Sequence, residues 1–216
     1  DAARFLADAR NIRQEALAQL REYNRRAALA ATGLGYGVGT ADSMTSVFLT
    51  GPGSELNFGK AKLEMASNEY ESFQTVIIAG KKPLKNIKVE IGPFSTIDGK
   101  APQAECAVVG HSKTQPMLYP REHTGFYPEF ILEKQKTADA APGESVPFWV
   151  RIHTPKGTPP GHYTAQATVS GDGISPFRFP VEIEVFNFTL PDGAVLPTSF
   201  SFDIKTMTNF YGLAKD

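Results

Sequence analysis

The chain has 216 residues, enough for one large domain or two small ones with a sizeable core. Its 41% hydrophobic and 21% charged content is ordinary globular usage, which excludes a disordered chain or a coiled coil as a reading of the whole. A net charge of −1 gives no field to attract a polyanion, so nucleic acid is not an expected partner, and no apolar run is long enough for membrane insertion.

Residues 1–32 are predicted to form one amphipathic helix. Phe5, Ala9, Ile12, Ala16, Leu20, Tyr23 and Ala27 recur at three- and four-residue steps, with Arg10, Arg13, Arg21, Glu22 and Arg25 on much of the opposite side. Gly33 is placed to cap its C-terminus. The stripe is rich in Ala and the polar face has no Lys, so packing or linkage is expected rather than binding to a membrane surface. The opening "DAARFLADAR" has no charged stretch leading into an apolar one, so a signal peptide is not expected within it.

"GLGYGVGT" follows, with glycine at 33, 35, 37 and 39. A dinucleotide fingerprint needs a strand before it and a helix after it, and here the order is reversed, so no cofactor is expected. A strand carrying Leu34, Tyr36 and Val38 on one face leaves a bare glycine face, which predicts close backbone approach by a neighbour. From Glu55 onward the period becomes two. Fifteen Phe, sixteen Pro and nineteen Gly fit many short strands with tight turns between them. Between Glu144 and Pro191 three strands are predicted. One buries Phe148, Val150 and Ile152, the next Tyr163, Ala165, Ala167 and Val169, and the third Phe177, Phe179, Val181, Ile183 and Val185. Apolar-in, polar-out alternation with no intervening helix predicts a mainly β chain, an antiparallel β-sandwich preceded by the long helix.

Two segments break the pattern. Thr114 to Leu132 is long, aromatic and punctuated by Pro, and is expected to be a functional or docking loop. After Val185 the chain turns apolar on both faces, with Phe186, Phe188 and Leu190, which predicts a cover from beyond the sandwich.

In this order, "ADSMTSVF" (41–48), "NEYESFQTVI" (68–77), "GFYPEFIL" (125–132), "PFWVRIHTPKGTPPGHYTAQATVS" (147–170) and "VFNFTLP" (185–191) resemble the N-terminal β-sandwich of glycoside hydrolase family 123 and its uncharacterised relatives. The likeness covers residues 35–203, and it lies in the order of the segments, since each motif alone is common. It implies a division into a helix or linker (1–32), a sandwich accessory domain (33–191) and an exit segment (192–216) that begins a (β/α)8 barrel. It implies further that this barrel, the expected partner, hydrolyses terminal N-acetyl-β-galactosaminides or related glycans with its own Asp–Glu pair. There the substrate's acetamide would attack while a glutamic acid protonates the leaving oxygen. Export to the periplasm or beyond goes with the same resemblance. "SFSFDIKTMTNFYGLAKD" looks like the first barrel strand and its loop.

No residue of this chain inherits a catalytic role from that likeness. Glu69 and Glu71 are two carboxylates on one strand side, but Asn68 is a turn former and the apolar run starts at Phe73. A turn feeding a strand is therefore expected, with Gln74 bonded to backbone. The four histidines and Cys106 lack metal-ligand spacing, so no metal is expected, and one cysteine forms no internal disulfide. Trp149 shares a strand face with Arg151 and His153; it is either a sugar-stacking platform or, as expected of most Trp, buried by the helix or the barrel. Tyr119, Phe126 and Tyr127 in the aromatic segment are candidates for glycan or interdomain contact. The expected role is a non-catalytic support for the barrel; an independent carbohydrate-binding module and a structural assembly module are the alternatives.

Overall fold

The alternation is realised as two stacked sheets in a computed structural model, which describes residues 2–50, 54–115, 124–193, 199 and 203–212. In chain order the elements are α1 (Ala2–Thr32), β1 (Tyr36–Asp42), β2 (Ala61–Ser67), β3 (Glu69–Ala79), β4 (Leu84–Ile91) and β5 (Gln103–Lys113). There follow β6 (Phe126–Leu132), β7 (Ala138–Ala140), β8 (Ser145–Thr154), β9 (Gly161–Ser170), β10 (Phe177–Thr189) and α2 (Ile204–Tyr211). One sheet has the order β1-β3-β8-β5-β6 and the other β2-β10-β9-β4-β7.

The core lies between them and is made of the predicted inward residues. Phe148, Val150 and Ile152 of β8 face Tyr163, Ala167 and Val169 of β9 and Val181, Ile183 and Val185 of β10, all buried. Burial at two-residue spacing on each strand removes one apolar face from water and leaves a polar one, as in Glu182 of β10, which pairs with Lys60 at 2.7 Å. The sandwich is not wholly antiparallel. β2 runs parallel to β10, with Val181 beside Ala61 and Val185 beside Met65. No short hairpin joins these distant strands, so turn geometry leaves their direction free.

Thr75 is the flaw in this core. It lies on β3 opposite Phe148, and among the described residues its buried hydroxyl has no hydrogen-bond partner. Thr75→Val should therefore raise stability by about 1 kcal/mol, read as a higher denaturant midpoint at unchanged slope.

On the outer side of the first sheet, α1 crosses β1. Glycine is needed there, because a Cβ at Gly37 would lie 2.5 Å from Ala28 Cβ and 2.9 Å from the Leu29 nitrogen. Gly33 takes the left-handed conformation at φ 65° and its N–H bonds Leu29 O at 3.1 Å, closing the helix. The docked side of α1 differs from the predicted stripe. Phe5, Ile12 and Tyr23 are exposed, while Ala28 and Asn24 are buried. Arg21, placed by periodicity on the polar side, instead turns inward and donates to Leu49 O (2.8 Å) and Gly143 O (3.0 Å). Asn24 likewise donates to Ser54 O. Backbone carbonyls in the connecting segments need donors, and polar side chains meet that need better than an apolar stripe. Burial pushes the Arg21 guanidinium below the usual arginine value, with Glu144 acting in the opposite sense.

Two other expectations change. Phe126 to Leu132 is not loop but the edge strand β6, paired antiparallel with β5 from Val108 to Lys113. The segment expected to be a barrel loop forms α2, capped by Asp203, whose side chain accepts from Lys205 N at 3.0 Å, and closed by Gly212 at φ 62°. The strand expected before it falls on residues 200–202, outside the described residues.

Candidate functional site

The paired carboxylates at Glu69 and Glu71 are local structure. Asn68 takes a left-handed turn (φ 64°) between β2 and β3, its N–H bonding Thr154 O at 2.8 Å and its side-chain amide Leu190 O at 3.0 Å. The Glu69 carboxylate accepts from Ala66 N at 2.5 Å and that of Glu71 from Ser72 N at 2.8 Å. Gln74 donates to Asp42 O (2.9 Å) and Thr45 O (2.7 Å), the backbone bonding expected of it. Both carboxylates serve neighbouring backbone.

The outer face of the first sheet offers more. Its β1 side is roofed by Ala28 of α1 and by Val47, Leu56 and Phe58, which pack on Val76 and Ile78. The roof ends at buried Gln74. Trp149 of β8 sits beside Gln74 in register and is only half-buried. Across β8 its other neighbour is Ala107, too small to cover an indole. Trp149 is thus partly exposed within these residues, since α1, one of its two expected covers, packs on β1 and β3 instead.

From Trp149 the face continues to Arg151 and His153, the next outward positions of β8. Arg151 donates to Glu105 at 2.5 Å, with Glu133 at 3.7 Å. That hydrogen bond, and after it the opposite charge, holds the Glu105 carboxyl below its ordinary range. His153 stacks on Tyr70 with centroids 4.1 Å apart and planes 8° from parallel. The Arg151 guanidinium stands 5.9 Å from the Tyr70 ring centroid.

Beside Trp149 the two sheets leave a notch of about 630 Å³. Residues 103–107 of β5 pair only with β8, and residues 88–91 of β4 only with β9, so two strand edges without further strands face the gap. Its charged lining is Lys88, Glu90, Glu105, Glu133, Lys134, Lys136 and Arg151. The three carboxylates each have a cation beside them, Lys88 or Arg151. Lys88 meets Glu90 at 2.7 Å, and Lys136 donates to the Cys106 carbonyl at 2.8 Å.

Cys106 lies at the floor, and burial pushes its thiol up to about 11. At pH 8 almost none of it is thiolate, so modification by a disulfide reagent should be slower than in the unfolded chain by about tenfold or more, followed by absorbance. Labelling at equal rates would contradict the burial.

The sequence candidates separate in space. Trp149 lies in the notch. Tyr127 packs edge-on against Phe48 at 5.0 Å, and Phe126 is exposed at the far end of β6. Tyr119 lies outside the described residues. Tyr70 was missed, since only the β3–β8 register brings it to His153. Among the described residues, no three of His, Cys, Asp and Glu gather as a metal site, and no helix is long and apolar enough to cross a membrane. What the face offers is aromatic surface and hydrogen-bonding groups.

The solved structures with this shape include a family 123 glycoside hydrolase from Clostridium perfringens, described for its hydrolysis of glycolipid glycans. It shares the fold. The TM-score is 0.60 at 14% identity, covering 72% of this chain and 28% of that one. The chain thus spans little more than a quarter of the hydrolase. The N-terminal domain of PorA aligns at TM-score 0.35 and 11% identity, over 70% of this chain and 98% of that one. No family model matches the sequence, and no curated protein does.

Proposed function

We propose that the chain is a non-catalytic sandwich domain of a glycan-acting enzyme, built to support a downstream catalytic barrel of the N-acetyl-β-galactosaminidase type. The observation that carries this reading is the fold shared with the family 123 hydrolase over only 28% of its length. Two features of the chain support it. Glu69 and Glu71 each accept a backbone N–H at the β2–β3 turn, a local structural role. The end of β10 presents Phe186 and Phe188 to solvent, 38% and 57% exposed, stacked with centroids 6.1 Å apart. Paired exposed rings just past the last core residue form a small apolar patch that suits a following domain.

The experiment is footprinting of aromatic side chains by hydroxyl radicals in residues 1–216 and in the longest natural form of the chain. Phe186 and Phe188 should lose reactivity several-fold in the longer form, while Tyr70 stays reactive. Equal reactivity of the two phenylalanines in both forms would contradict a docked barrel.

A further inference from the structure

We propose that the outer face of the first sheet, from the Trp149 notch to the Tyr70–His153 pair, is a binding track for a linear, uncharged oligosaccharide. This deepens the reading above and rests on its premise that the chain serves glycans; the place and the mode of binding come from the geometry. Trp149, Arg151 and His153 are successive outward residues of one strand, so roughly 14 Å of track separates the indole from the His153–Tyr70 stack. Each end carries an aromatic ring with accessible surface for the C–H face of a pyranose: Tyr70 is 63% exposed with one face stacked on His153, and Trp149 is partly exposed. Between them Arg151 donates, and Glu105 and Glu133 accept, which is the complement of hydroxyl groups that do both.

The track is also pre-organised. Arg151 is held by two carboxylates and Tyr70 by its parallel contact with His153, so little side-chain freedom remains to be lost on binding. Among the described residues no acceptor meets the Trp149 indole N–H, which leaves a donor directed to solvent or ligand. The notch volume of about 630 Å³ is within the range of small-ligand sites.

Charge selects the ligand class. Glu90, Glu105 and Glu133 each have a cation beside them, and the lining holds carboxylates as well as lysines. A phosphorylated or nucleic-acid ligand would meet those carboxylates. A protein partner fits poorly as well, because charged residues fill the space between the rings where interface cores are depleted of charge. An uncharged chain of sugars meets neither obstacle.

The test is titration of the 216-residue protein with neutral hexose and N-acetylhexosamine oligosaccharides of one to four units, by calorimetry and ligand-observed NMR. Affinity should rise with chain length. Trp149→Ala should weaken binding at every length by about tenfold or more, as central aromatic anchors do, with Trp149→Phe retaining most of it. Tyr70→Ala should weaken only the trisaccharide and longer, since shorter chains do not reach it. Should Trp149→Ala fail to fold, the Tyr70→Ala length dependence decides alone. Overturning results are no binding by any member of the panel, or affinities that neither variant changes. Hydrolysis by the longest natural form without any binding here would sink the track and leave the accessory role standing. Variant-sensitive binding with no hydrolysis by that form would do the reverse.

Discussion

Phe148→Ala is expected to lower stability by about 3–5 kcal/mol, the range for removing a buried aromatic ring. Phe148 is fully buried on β8, the middle strand of its sheet, between β3 and β5. Its ring fills the space between the sheets with Val150, Ile152 and Tyr163. Both neighbouring strands are paired along this stretch, so the backbone has little room to close the cavity. The effect is read as a fall in the denaturant midpoint at constant slope. A loss under about 1 kcal/mol would mean that the two sheets do not pack at native density here.

Gly37→Val should cost about 1–3 kcal/mol by overpacking, or detach the helix. An added Cβ would lie 2.5–2.9 Å from three atoms of α1, two of them backbone, so no side-chain rotation relieves it. The conformation at Gly37 needs no positive φ, which makes this a purely steric use of glycine. Limited proteolysis separates the outcomes. Cleavage between Arg21 and Arg26 should accelerate several-fold while the sandwich survives, because α1 touches it mainly through β1. Unchanged cleavage and stability would show that the helix does not pack at this strand.

Much of this architecture was legible because burial writes a period into the chain. The two-residue alternation of β8, β9 and β10 marked the inward residues, and the bare glycine face of β1 marked a close neighbour without saying that α1 would supply it at Gly37. Other features depend on what a segment meets in space. The docked side of α1 uses Arg21 and Asn24 because carbonyls at Leu49, Gly143 and Ser54 await it, and those lie far along the chain. β6 shows little apolar alternation since, as an edge strand, it is exposed along most of its length. The candidate site was half visible. Trp149, Arg151 and His153 share a face by spacing alone, whereas Tyr70 and Glu105 join them only through the registers of β8 with β3 and β5. The partial exposure of Trp149 was hidden too, for it depends on where Val47, Leu56 and Phe58 settle on the sheet.

The account's central claim is that the chemistry lies outside these residues. Hydrolysis of an aryl N-acetyl-β-galactosaminide by residues 1–216 and by the longest natural form of the chain tests it most directly. The account predicts turnover by the longer form alone, unaffected by Glu69→Gln with Glu71→Gln. Turnover by residues 1–216, abolished by that double substitution, would contradict it and make the β2–β3 turn an active site.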